Sequence, residues 1–331
     1  MNYDKIVQGI LDIGEAMLQS GAENFRLEDS FYRMCRSYGF KRSDVFVIPS
    51  NIQVTVETPE GEIITQIRHI ESSEPNFDQL DYLNNLCRYV CQHTPDENEM
   101  REKYLEVINR EPQKRITRYA AGIMGGTGFA VFFGCNLRDA VIAFIVSVMI
   151  VAVGDWLAKR ESNLLVYNGI LAFISEVIII GALKMGIAEH PDRIMIGIVM
   201  LLISGLSTTN GIRDLLQRDF ISGFINIMNS FLGAAGIAFG IGLAIILFHE
   251  GYSDHFILNH SVPIQLISCT VACTGFALWF KIRGKQVWYN SIGAFFTWAI
   301  YLAVYAVKPS NFLATMIAAG FVGFYAFVMS R

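Results

Sequence analysis

The chain has 331 residues, a formal net charge of −4 and 53% hydrophobic residues. Charged residues make up only 17%, below the roughly 25% of soluble domains, and the mean hydropathy is +0.39. This composition excludes an ordinary soluble globule, and the acidic balance without a basic stripe excludes a nucleic-acid partner.

The apolar excess is concentrated in one part of the chain. Residues 1–113 are rich in Asp, Glu, Asn and Arg, whereas residues 117–330 are mostly long apolar runs. In the first region Ile6, Ile10, Ile13, Met17 and Leu18 recur at helical spacing, which predicts a helix over 4–20 with Gly21 at its C′ position. Phe25, Phe31, Met34 and Cys35 mark a second helix over 24–38, ended by Gly39. The period then changes to two. Val45 and Val47, then Ile52, Val54 and Val56, then Ile63, Thr65 and Ile67 predict strands, the last two joined by a tight turn at Pro59–Glu60–Gly61. Helices over 77–93 and 96–110 follow. This is a small α/β layer with no Gly-rich phosphate loop and no nucleophile elbow, so neither an enzyme nor a cofactor is expected. The first thirty residues lack an apolar signal core, which places the amino terminus in the cytoplasm.

One corner of this region stands out: Ser20, Glu23, Arg26 and Glu28 crowd two helix ends together. They form either a capping box (Ser20 with Glu23) beside an Arg26 ion pair, or a cytosolic regulatory site built on Glu23, Arg26 and Glu28. The cysteines Cys35, Cys87, Cys91, Cys135, Cys269 and Cys273 read as buried thiols.

Apolar length predicts about eight spans, roughly 117–134, 139–157, 164–187, 193–212, 222–248, 263–280, 288–307 and 311–330. With the amino terminus inside, the inner connections carry Lys114, Arg115, Arg118, Lys159, Arg160, Arg213, Arg218, Lys281, Arg283, Lys285 and Arg331. The outer ones carry only Arg138, Arg193 and Lys308, a positive-inside bias. Three regions result: a cytosolic domain at 1–113, a first membrane module at 114–249 and a partial second module at 262–331. Glu176 sits roughly 18 Å along its span from the inner face, where an acid is costly and faces a cavity or a partner. It is the candidate coupling acid, or a neutral acid bonded to one neighbour. Lys184 near the outer end is expected to snorkel, and Asp155 lies at the inner interface. Glycines crowd the first and fifth spans, including Gly236 and Gly240 at Gly-xxx-Gly spacing. Asn226, Asn229 and Ser230 either extend a polar cavity or bond to a neighbouring helix. His249, Glu250, Asp254, His255 and His260 match no common zinc spacing, so a solvated loop and no metal are expected.

The fourth span is the informative one. It loses its apolar character about 16 Å in, near mid-membrane. There stand Ser204, Gly205, Ser207, Thr208, Thr209, Asn210 and Gly211, followed by Arg213 and Asp214. Either the helix is interrupted near 204–211, as at transporter binding sites, or it runs unbroken with its hydroxyls bonded back to their own turn.

These stretches together resemble the bacterial threonine/serine exporter family. GEAMLQSGAENFRLEDSFYRMCRSYG is similar to the family's amino-terminal signature, and VFVIPSNIQVTVETPEGEIITQIRHI to the segment after it. ISGLSTTNGIRDLLQRD resembles its PG-x-x-x-T-N-x-I-R-D-L-x-x-x-D loop, with Ser204 where the family has proline. TGFALWFKIRGK resembles the start of the second module. The resemblance implies an α-helical polytopic membrane protein with an amino-terminal cytosolic α/β domain, in a bacterial inner membrane. It implies a secondary, ion-gradient-driven exporter of small hydrophilic metabolites, threonine and serine first. Ser204, Gly205, Ser207, Thr208, Thr209, Asn210, Arg213 and Asp214 would bind and pass the substrate. The alternatives are a subunit of a two-component dicarboxylate (succinate-like) exporter, and a membrane-anchored enzyme or sensor acting through 1–113. Since the second module normally continues through further spans, either a longer chain, a second membrane subunit or a homo-oligomer is expected to complete it.

Overall fold

The computed structural model describes residues 2–71, 73–248 and 261–329. The cluster from His249 to His260, and Arg331, lie outside the described residues. The chain divides into two compact units. One is Met1–Pro112 with Gly205–Ser230; the other is Gln113–Ser204 with Phe231–Arg331.

In the first unit, α1 (Tyr3–Gln19) starts at Asn2, whose side chain accepts the Lys5 N–H. Ile6, Ile10, Ile13 and Met17 form its buried face, as the helical period requires. Its end is a two-bond left-handed cap. Gly21 N–H bonds to Leu18 O and Ala22 N–H to Met17 O, each at 3.0 Å, with Gly21 at φ +88°. A side chain at that φ is strained, so the turn into α2 (Asn24–Ser37) selects glycine. Ser20 is therefore the end of α1, and the N-cap of α2 is Glu23, whose side chain makes no cap bond. The capping-box alternative is not formed, because Ser20 is three residues too early to cap α2.

The strands β1 (Arg42–Ile48), β2 (Asn51–Glu57) and β3 (Ile63–His69) make an antiparallel meander in sequence order. Ile48 pairs with Asn51 across Pro49 and Ser50, so β1 and β2 are also a tight hairpin. Ile52, Val54 and Val56 point inward beside Val47, while Gln53 is exposed, the alternation of a half-buried sheet. Residues of α1, α2, α3 (Phe77–His93) and α4 (Glu97–Ile108) close one core with them, among them Phe31, Met34, Leu83, Val90 and Met100. Fully burying such side chains is worth roughly 1.5–3 kcal/mol each. β1 is an edge strand, and its Val47 is tied from the open side. Val47 N–H donates to Glu28 Oε1 at 3.2 Å, and its carbonyl accepts Ser222 Oγ at 3.5 Å. Side chains here cover an edge that would otherwise present unpaired backbone groups.

The second unit contains α5 (Arg115–Phe132), α6 (Leu137–Leu157), α7 (Leu164–Lys184), α8 (Pro191–Leu202), α11 (Val262–Trp279), α12 (Lys285–Val307) and α13 (Asn311–Met329). Phe231 onward of α10 (Phe220–Phe248) belongs to it too. Six helices among the described residues are long and apolar enough to cross a membrane: α6, α7, α10, α11, α12 and α13. The pair α8 and α9 (Gly205–Leu216) passes only together, which makes seven. The expected first span, α5, is absent from that set. It carries Arg115 and Arg118 and buries Gly122, Gly125, Gly126, Gly128 and Ala130 against its neighbours. A helix enclosed by protein needs little lipid-facing apolar surface.

Ile142, Val146 and Ile150 of α6, Ile179 of α7, and Ile194, Ile198 and Leu201 of α8 share the second core. The start of α6 is tied to the start of α8 by Asp139, which is fully buried. Its Oδ1 accepts the Glu189 N–H at 2.8 Å, and its Oδ2 pairs with His190 Nδ1 at 2.9 Å. Asp155 pairs with Arg118 at 2.9 Å, and Lys184 Nζ donates to Phe248 O at 3.3 Å.

Candidate functional site

The expected interruption is present and short. α8 ends at Leu202, Ile203 is extended at φ −72° and ψ 133°, and α9 begins at Gly205. Ser207, Thr208, Thr209 and Asn210 are therefore helical residues in the first turns of α9, not members of an unwound loop. Both sequence alternatives hold in part. Thr209 Oγ1 donates to the Gly205 carbonyl at 3.0 Å, a bond back to its own turn that lets a threonine sit in the helix. Thr208 Oγ1 reaches Ser230 Oγ at 2.6 Å on α10. Ser204 precedes the helix at the break itself.

Within the first unit, α9 and the first turns of α10 form a close polar hairpin. Gly211 lies so near α10 that an added Cβ would fall 2.8 Å from Ile227 Cγ1 and 3.0 Å from Gly223 O. Asp214 is buried, and its Oδ2 accepts Asn226 Nδ2 at 3.0 Å. Ser222 contacts Val47, Asn226 contacts Asp214 and Ser230 contacts Thr208. These three α10 residues recur every four positions, which puts them on one face of the helix. The sequence reading weighed Asn226 and Ser230 but passed over Ser222; the i, i+4, i+8 spacing was the available signal. Asn229, named with them, is exposed.

Two groups singled out separately in the sequence are one cluster in the structure. Arg213 Nη1 donates to Glu23 Oε1, while Glu23 Oε2 faces Arg26 Nε at 3.0 Å. Glu28 is half-buried beside Val47, and its carboxyl is raised above the usual range by burial first, opposed by the Val47 N–H and reinforced by the Asp219 charge. No group of three or more His, Cys, Asp or Glu side chains suited to a metal ion occurs among the described residues.

Glu176 lies in the second unit, on α7, buried to 1% exposure. Asn168, Ala172 and Glu176 are spaced i, i+4, i+8 on that helix. Asn168 Nδ2 donates to Gly233 O at 3.3 Å, and Ala172 Cβ would sit 3.1 Å from a Cβ on Gly240. Glu176 continues the stripe along which α7 packs on the small residues of α10.

The sequence model described as "Putative threonine/serine exporter" matches residues 8–248. The chain belongs to the threonine/serine exporter family. A second model of the exporter family, described as "Threonine/Serine exporter, ThrE", matches residues 265–331. The first match ends with α10 and the second begins inside α11. The chain is 24% identical over 245 residues to the threonine/serine exporter of Corynebacterium glutamicum, covering 71% of this chain and 50% of that protein. It thus spans about half the length of the curated relative it matches. No solved structure matches the chain. With its apolar helices, this exporter-family member is a multi-pass membrane protein.

Proposed function

We propose that this chain acts in a secondary exporter that moves threonine and serine, driven by an ion gradient. The observation that carries the reading is α9. Hydroxyl, amide and guanidinium groups stand on its first turns directly after a break in an apolar helix. A zwitterionic solute needs hydrogen-bond partners and a helix end at such a place. In this reading Ser204, Gly205, Ser207, Thr208, Thr209 and Asn210 bind the solute's polar groups. Arg213 takes its carboxylate, and Asp214 is held beside them by Asn226. Glu176 is the coupling acid, supported by its burial on an apolar helix. Glu23, Arg26 and Glu28 form the cytosolic regulatory corner.

The amino terminus faces the cytoplasm and the membrane is a bacterial inner membrane. The basic residues Lys114, Arg115, Arg118, Lys159 and Arg160 support this orientation. Counting α5 as a span gives eight. The relative's name supports threonine and serine as solutes; the lipid bilayer is the chain's environment, and a second membrane subunit or a second copy is its partner.

Efflux from an exporter-deficient bacterial host tests the reading. Cells are loaded with threonine, serine or succinate, and the external solute is followed with the chain expressed. Threonine and serine efflux is expected, and T209A with N210A is expected to lower it roughly 5- to 150-fold, the worth of about 1–3 kcal/mol of hydrogen bonding. Unchanged efflux in that inserted variant overturns the site. Efflux of succinate alone overturns the solute and favours the dicarboxylate alternative. A Glu176→Gln variant with an unchanged pH dependence of efflux overturns the coupling role.

A further inference from the structure

Glu23 is the N-cap of α2 and makes no cap bond, so its carboxylate is free to serve other groups. Its two oxygens are divided between two guanidiniums instead: Oε1 takes Arg213 and Oε2 takes Arg26. The two partners differ. Arg26 is an i, i+3 neighbour on α2 with a side chain 71% exposed, so it stays with Glu23 whatever α9 does. Arg213 comes from α9, 190 residues away in sequence, and is 41% exposed.

Arg213 also has capacity to spare. Only Nη1 makes a hydrogen bond among the described residues, so most of a five-donor fork remains. That fork fits a carboxylate in two parallel bonds, and Glu23 supplies just one oxygen. The next residue, Asn24, is 4% exposed, and its Nδ2 has no acceptor among the described residues. The corner therefore holds unused donors, a partly used guanidinium and a buried amide, beside a Glu23 Oε2 that has its ion-pair contact with Arg26 but no hydrogen bond among the described residues.

We propose that Glu23 is the resident counter-ion of Arg213, held there in place of a solute carboxylate. The inference rests on the reading of Arg213 as a solute-binding residue and deepens it. Entry of a carboxylate solute exchanges one anion for another on the Arg213 fork. Glu23 then keeps only Arg26, and the α1–α2 corner is released from α9. Because Arg26 stays, Glu23 is never left without a cation, and the exchange is a competition between carboxylates. The corner thus sets how tightly the solute is held and reports its arrival to the amino-terminal core.

Binding to the full chain in detergent or nanodiscs tests this, with threonine and threoninol as the two probes. Threoninol keeps the side chain and the amine and lacks the carboxylate. Glu23→Gln removes the competitor and is expected to tighten threonine binding about 2- to 5-fold, the range supplied by a partly exposed ion pair, with threoninol unchanged. Arg26→Gln has the opposite sign: Glu23 then relies on Arg213 alone, and threonine binds more weakly. The double variant is expected to match Glu23→Gln. Equal effects on both probes, no effect in Glu23→Gln, or a weaker double variant overturn the inference while leaving threonine binding intact. A wild-type chain that binds neither probe overturns the solute reading, and the inference falls with it. Arg26 is exposed, so its variant reads the competition even where Glu23→Gln disturbs the turn.

Discussion

One helix, α10, is used in two ways. Its first turns, in the first unit, present Ser222, Asn226 and Ser230 every four residues, and each contacts a polar group on another element. Its later turns, in the second unit, present Gly233, Gly236 and Gly240 along a stripe against α7. Both seams follow from the same helical period, but different forces hold them. The polar seam depends on paired donors and acceptors, so its strength changes with charge, with proton concentration and with a competing solute. The glycine seam depends on backbone approach. A Cβ on Gly240 would lie 2.2 Å from Gly169 O, and one on Gly236 would lie 2.3 Å from Leu165 O. Such close backbone approach responds first to side-chain size. The adjustable chemistry therefore belongs to the first stretch of α10, and the fixed frame to the second.

The largest effect is expected where the comparison is broken on the glycine side. Gly240→Ala puts a methyl against a backbone carbonyl that cannot rotate away, at a cost of about 2–3 kcal/mol. The thermal midpoint of the full chain in micelles checks this, and Gly242→Ala, with open space at its Cβ, is the control expected to be neutral. A Gly240→Ala midpoint equal to the control's would mean that α7 and α10 are not in contact there.

Next comes the hydroxyl pair of the polar seam. Thr208→Val and Ser230→Ala each remove one partner of a single hydrogen bond, and the two losses should not add. A double-mutant cycle on unfolding is expected to give a coupling near 1 kcal/mol. Strict additivity would assign the two hydroxyls to separate roles.

The smallest effect concerns Glu28. Its raised pKa means that the folded chain favours the protonated carboxyl, through burial and the nearby Asp219 charge. The contribution is fully present below the unfolded carboxyl value and is lost as pH rises through the folded one. Glu28→Gln removes that loss. Unfolding of the variant and the wild type should coincide near pH 4 and separate towards pH 8, the variant being more stable by less than about 1 kcal/mol after screening. A gap that widens on acidification instead would show that Glu28 is held as an anion.

Local pattern alone determined much of this protein. The buried face of α1, the turn at Gly21, the alternation of β2 and the interruption beside Ser204 all depend on residues a few positions apart, and periodicity records such relations directly. The family was legible for the same reason, since its signatures are short contiguous stretches. Tertiary structure decided which polar groups meet. Glu23 and Arg213 are joined across 190 positions, and neither neighbourhood names the other. Asp139 and His190 are 51 positions apart and were missed altogether. The extent of the break was also decided in three dimensions. The sequence left Ser207 to Asn210 open between an interruption and an unbroken helix; Thr209 satisfies a carbonyl of its own turn and Thr208 finds Ser230, and the helix resumes after two residues. A polar side chain's preference between loop and helix depends on whether a partner is within reach, and that distance is a property of the packed chain.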